Sequence, residues 1–152
     1  AVLVLLATAA GAWVIAAHFL FHPLEGLWLG AAAADAFGGG PGGRNRTQTP
    51  MVAGETVFVV SVSGQLVALE RSSGKVRWTT KLPGDAKTRW HGPVLGGGQL
   101  WLSSSTRKLV SVDAASGQVS GTQEIGHASF ISPIIASGRL FLLLDDGTLA
   151  AI

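Results

Sequence analysis

Residues 50–152 repeat themselves, and that periodicity restricts the fold more than any other property of the chain. Pro50, Pro93 and Pro133 each open a similar segment, at spacings of 43 and then 40 residues. Pro50 to Leu82 aligns without a gap to Pro93 to Ile125, and a third, shorter copy runs from Pro133 to Ile152. A repeat of this size is one supersecondary unit that cannot bury its apolar surface alone, so the copies must stack on one another. Each copy carries its own turn chemistry. Gly54, Gly97 and Gly138 lie in the first turn, before Val57-Phe58, Leu100-Trp101 and Leu140-Phe141. The second turn is Ser63-Gly64, Thr106-Arg107 and Asp146-Gly147; glycine accepts a positive φ there, whereas Arg107 does so only at a steric cost. The third turn is Arg71-Ser72-Ser73-Gly74 and Ala114-Ala115-Ser116-Gly117, where glycine can close a turn with a bulge.

The runs between these turns are short and nearly continuous in Val, Leu, Phe and Trp, which suits sheets covered on both faces. Several strands per unit at a period near 40 is the signature of propeller blades. The expected fold is therefore all-β: a partial β-propeller of about two and a half four-stranded antiparallel blades. The third copy stops before its third turn, so its outer strand is missing.

Upstream, the composition changes. Residues 1–43 contain no Lys or Arg, and Glu25 and Asp35 are their only charges. Val2 to Phe21 is an apolar run of about 20 residues, long enough to span a bilayer as a helix. Three readings stay open: a membrane anchor, a secretory segment, or translation out of frame with the repeats; a soluble apolar packing segment is a fourth. Moving the repeat back by one period puts Ala31 and Asp35 where a Gly and a Trp belong, so no earlier blade is legible. The expected organisation is an apolar, helical or out-of-frame segment at 1–37, a Gly-rich linker at 38–49 and the blades at 50–152. With 47% hydrophobic and 13% charged residues, the chain is no disordered tail. A net charge of +2 makes no case for nucleic-acid binding. The absence of cysteine excludes disulfides, thiolate metal sites and a cysteine nucleophile.

Candidate sites are sparse. His18 and His22 have helical ligand spacing, but Pro23 interrupts and no third ligand follows. Asp145-Asp146-Gly147 begins like a calcium loop without its later ligands, so a hairpin turn is expected. Gly38–Gly43 lacks the Lys-Ser/Thr of a phosphate cradle. Ser103–Thr106 reads as a solvated strand end, and neither His91 nor His127 can be assigned as a base to it. Trp90-His91 and Trp101 are expected between blades. Lys87, Arg89, Arg107 and Lys108 sit in small basic turns that can contact a partner.

Ala68-Leu69-Glu70-Arg71-Ser72-Ser73-Gly74-Lys75-Val76-Arg77-Trp78 resembles the tryptophan-docking motif of pyrroloquinoline-quinone-type propellers, Ala-x-Asp-x-x-Thr-Gly-Lys-x-x-Trp. Ala68, Gly74 and Trp78 match; Glu70 replaces Asp and Ser73 replaces Thr. Ser111 to Gly121 is a second copy in which Asp113 and Gly117 match and Gly121 replaces Trp. Within this family the run Pro50–Ile152 is most similar to the last blades of the BamB-type components of the outer-membrane β-barrel assembly machinery. The resemblance implies a non-catalytic periplasmic scaffold at the outer membrane that binds other proteins and needs no cofactor or metal. It implies an inter-blade packing role for Trp78. The alternatives are a fragment of a quinone-dependent dehydrogenase and a membrane-tethered propeller sensor. The dehydrogenases of this superfamily need a catalytic Asp and calcium ligands, and no such constellation is legible here.

Overall fold

The structure is a computed structural model and describes residues 48–152 apart from Val62, Ser63 and Ala86. Among the described residues it is built from strands, without a helix. The first sheet is β1 (Met51–Ala53), β2 (Thr56–Val60), β3 (Gln65–Glu70) and β4 (Val76–Lys81), in that spatial order. The second is β5 (Trp90–Gly96), β6 (Gln99–Ser104), β7 (Lys108–Asp113) and β8 (Val119–Glu124), again in order. The third has β9 (Ile134–Ala136), β10 (Arg139–Leu143) and β11 (Leu149–Ala151), with β10 central. All pairings are antiparallel, as connections this short require. The architecture is thus a run of small antiparallel leaves, four strands in each of the first two and three in the last.

The sequence repeat is a repeat of hydrogen bonds. In the first sheet Leu82 N donates to Gly64 O and Gly74 N to Glu70 O; in the second, Ile125 N donates to Arg107 O and Gly117 N to Asp113 O. The Ser61 hydroxyl accepts from Gln65 N, and the equivalent Ser104 hydroxyl accepts from Lys108 N. The register shifts between Ala68 and Leu69, and again between Ser111 and Val112. The extra residue, Arg77 in β4 and Ser120 in β8, lies on the strand that follows the glycine-closed third turn.

Packing follows from alternation along each strand. Phe58, Val60, Leu66 and Ala68 point from the first sheet onto Leu100, Leu102, Val110 and Val112 of the second. Val94, Trp101 and Leu109 point from the second onto Leu140, Leu142 and Leu144 of the third. The opposite face of the first sheet (Val57, Val59, Val67, Leu69) is also buried. The outer strands differ from the expected apolar pattern. β4 is half-buried only at Trp78 and Thr80, and β8 is exposed throughout, because these strands form the rim of the stack.

Among the described residues, nothing pairs with the outer edge of the third sheet and its far face is exposed. Its far face carries Ile134, Phe141, Leu143, Leu149 and Ala151, with Ile134 60%, Leu149 64% and Leu143 44% exposed. Its outer edge is β11. Leu140 and Ile152 exchange both backbone bonds, so Ala150 also faces β10 while the N–H and C=O of Leu149 and Ala151 face outward. No helix among the described residues is long and apolar enough to cross a membrane. Val2–Phe21, His18, His22 and Gly38–Gly43 lie outside the described residues.

Candidate functional site

Two aromatic docks fasten the first sheet to the second. Trp78, on β4, donates its Nε1–H to Ala114 O at 3.2 Å across the seam. Its ring lies over Gly117, where a Cβ would sit 2.6 Å from two ring atoms, and Gly117 has φ +76°. The Thr80 hydroxyl donates to Gly117 O beside it. The whole indole can bury about 150–250 Å², roughly 4–6 kcal/mol as an upper bound. At the other end of the sheets Trp90 covers Gly64 (φ +83°), where an added Cβ would meet the indole at 2.7 Å. Trp90 is 1% exposed. Trp101, half-buried against the third sheet, bonds Gly96 O through Nε1 at 3.4 Å.

The turn that receives Trp78 shows why the motif favours Asp. Asp113 Oδ1 folds back to accept from Ser116 Oγ (2.7 Å), Ser116 N (2.8 Å) and Ala115 N (3.2 Å). The Ser116 hydroxyl, then the Ser116 and Ala115 amides, hold its carboxyl below the usual range. Glu70, one methylene longer, instead accepts from the Ser73 hydroxyl and faces Arg77 at 3.8 Å.

Neither dock recurs between the second and third sheets. Gly121 stands where Trp78 stands one repeat earlier, and Arg107 where Gly64 stands. Arg107 holds φ +58°, whereas its counterparts are glycines at +83° (Gly64) and +86° (Gly147). A non-glycine residue in this region is strained by about 1–2 kcal/mol. Phe130 precedes Pro133 as Trp90 precedes Pro93, yet it is 57% exposed. A Cβ at Gly64 would collide with the Trp90 indole, and Arg107 carries one at the equivalent position, so Phe130 has no glycine to cover. It meets the edge of His91 instead, with ring centroids 6.2 Å apart.

The four basic residues lie on two connections. Lys87 and Arg89 lie on the β4–β5 connection, Arg107 and Lys108 on the β6–β7 hairpin. The two segments are stitched by Arg89 N to Ser105 Oγ (2.9 Å) and Ser105 N to Arg89 O (2.9 Å). Asp85 spends Oδ1 on Lys87 N, Thr88 N and the Thr88 hydroxyl; that hydroxyl above all lowers its pKa from the usual carboxylate value. Among the described residues none of the four cations makes an ion pair.

Ser103 and Ser104, expected in a solvated strand end, are fully buried. They are tolerated there because Ser103 donates to Ile131 O (3.0 Å) and Ser104 accepts from the Lys108 and Thr106 amides. His91 pairs in register with Ser103, but its Nε2 is sealed from solvent without a partner, and burial lowers its pKa. Asp146 caps its hairpin through Thr148 N and Oγ1, both at 2.9 Å, which lowers its pKa. His127 lies between its neighbours, Nδ1 3.4 Å from Asp145 Oδ1 and Nε2 3.6 Å from Asp146 Oδ2. All three side chains are exposed. Sequence reasoning missed this juxtaposition, which no local spacing encodes. It also missed Phe130, although counting back three positions from each repeat proline would have found it.

Small antiparallel leaves stacked face to face, joined by an indole reaching to the next leaf's glycine turn, define a propeller segment of the quinoprotein-repeat class. The family described as outer membrane protein assembly factor BamB matches residues 26–152, and the chain belongs to that family. The crystal structure of BamB from Moraxella catarrhalis is similar at a TM-score of 0.60 and 16% identity, over 69% of this chain and 31% of that one. Quinohemoprotein alcohol dehydrogenase from Comamonas testosteroni is similar at 0.54 and 20% identity, over 64% and 17% respectively. The computationally designed Ika8 protein is similar at 0.56 and 11% identity, over 67% and 31%. These likenesses show the fold. The chain spans about a third of the length of the first of them. No curated protein sequence matches it.

Proposed function

We propose that the chain is the propeller part of a non-catalytic scaffold that acts by binding other proteins during outer-membrane protein assembly, on the periplasmic side. Membership of the assembly-factor family carries this reading. The surfaces suit it. The outward N–H and C=O groups of β11 offer a strand edge to an extended chain, a sensible way to handle unfolded β-strands. Lys87, Arg89, Arg107 and Lys108 offer a charged contact. Ala68, Glu70, Gly74, Trp78, Asp113 and Gly117 serve as structural residues that hold the leaves together. Residues 1–37 are proposed as a separate apolar segment and 38–49 as the linker to the blades.

The test is direct binding of the full-length protein to the purified central subunit of the assembly machinery, by calorimetry. Association supports the scaffold. No association, together with a bound chromophore after pyrroloquinoline quinone and calcium are added, would replace it with the dehydrogenase reading that the fold also accommodates.

A further inference from the structure

We infer that His127, Asp145 and Asp146 form a binding site for a divalent transition-metal ion such as zinc, and that the ion clasps the third sheet to the loop that precedes it. The inference is independent of the scaffold reading.

The three residues come from two separate stretches of chain. His127 lies on the β8–β9 connection, and Asp145 and Asp146 lie in the turn between β10 and β11. A backbone bond brings the stretches together, with Asp145 N donating to Ala128 O at 2.8 Å. One nitrogen of the ring and one oxygen of each carboxylate then lie within 4.8 Å of one another.

What singles the group out is an electrostatic mismatch. Nδ1 of His127 faces Asp145 Oδ1 at 3.4 Å, and Nε2 faces Asp146 Oδ2 at 3.6 Å. Ionised carboxylates only accept hydrogen bonds, and a neutral imidazole has a single N–H to give. One of its two nitrogens therefore turns a lone pair towards an oxygen lone pair. Both distances are longer than an ordinary N–H···O bond of about 2.9–3.0 Å. They are near the separation of about 3.4 Å between the ligands of a tetrahedral zinc with bonds of about 2.0–2.2 Å. A cation that accepts lone pairs from both partners removes the mismatch. Among the described residues no Lys or Arg pairs with either acid, so no side chain besides the histidine itself is placed to supply that charge.

One carboxylate is already oriented. Thr148 N donates to Asp146 Oδ1 and the Thr148 hydroxyl to Oδ2, both at 2.9 Å. Hydrogen bonds of this kind fix a ligating group in place and leave each oxygen a further lone pair. The imidazole selects the metal, because zinc, copper and nickel accept nitrogen whereas calcium and magnesium take oxygen. Three protein ligands leave the fourth position of a tetrahedral ion to water. All three side chains are exposed, so the ion enters directly from solvent. The loop is itself bonded to the second sheet, through Ile125 N to Arg107 O and Ser129 N to Ser104 O. An ion joining loop to hairpin thus fastens the third sheet to the second at the seam that has neither indole dock.

The test is titration of the full chain with zinc chloride by calorimetry, at about pH 7.5, where an ordinary histidine is mostly neutral. Melting curves with zinc, with calcium and with neither accompany it. His18 and His22 offer zinc another place, so the readout is the difference between the parent and the variants His127→Gln and Asp145→Asn. Both substitutions fall on exposed side chains, and Asp145→Asn keeps the backbone bond to Ala128. The parent should bind one zinc more than His127→Gln, and Asp145→Asn should bind that ion more weakly. Zinc should raise the melting temperature of the parent, as a ligand of the folded state does, and leave that of His127→Gln unmoved. Equal zinc binding by parent and variants, or stabilisation by calcium in place of zinc, would overturn the inference. So would the absence of any zinc-dependent shift in the parent, the result expected of a ring that is merely protonated between two acids.

Discussion

Gly117 is constrained by a side chain that belongs to another sheet. Any Cβ there drives into the Trp78 ring, and the residue also needs φ +76°. Gly117→Ala should therefore lose about 2–4 kcal/mol, from overpacking plus backbone strain. Gly138→Ala is the control, because Gly138 has a similar φ of +73° and open space around it; it should lose only about 1–2 kcal/mol. Urea denaturation of the two variants measures the difference, and equal losses would show that Trp78 does not rest on Gly117. His91 makes a second case. Burial lowers its pKa, so folding favours the neutral ring and its contribution is complete above the usual histidine value of about 6.5. That contribution is lost as pH falls towards the lowered folded value. The melting temperature should drop between about pH 7 and pH 5, and the drop should be smaller in His91→Gln. Such behaviour was not legible beforehand, because the chain alone does not say that Nε2 is buried without a partner.

At the level of the strand, the prolines and glycines made the architecture readable. Their period set the number of leaves, and the three turn types set where each strand ends. Less readable was the contrast between inner and outer strands. Val76–Lys81 and Val119–Glu124 carry Val, Trp and Thr like the buried strands, yet lie largely in solvent because they are the outermost strands of their sheets. Ser103 and Ser104 misled in the other direction, since hydroxyls bonded across a loop are as buried as leucines. The edge strand β11 yields a prediction of its own. Its Ala151 N–H points away from β10, so Ala151→Pro removes no ladder bond and should change stability by about 1 kcal/mol or less. A peptide of the β4 sequence, Val76 to Lys81, should add to the parent edge and fail to add to this variant, as read by peptide fluorescence. Equal binding to both would show that β11 does not receive strands.

The leaves are unequal once considered as a stack. The exposed far face of the third sheet, with Ile134, Leu143 and Leu149 contiguous across its strands, is an apolar patch of the kind that drives association. Replacing Leu143 and Leu149 together by Glu should shift the chain towards monomer in sedimentation experiments, while its circular dichroism stays that of antiparallel sheet. A parent chain already monomeric at high concentration would sink this expectation. The two seams differ as well. One is fastened by Trp78 over Gly117 and Trp90 over Gly64; the other, having Gly121 and Arg107 at those positions, relies on Trp101 packed among aliphatic side chains and on the bonds of the 125–133 loop. The chain thus has a preferred order of failure. On gentle heating the last leaf should swing away while the first two remain a single body, and Trp101, alone among the indoles described, would report the event.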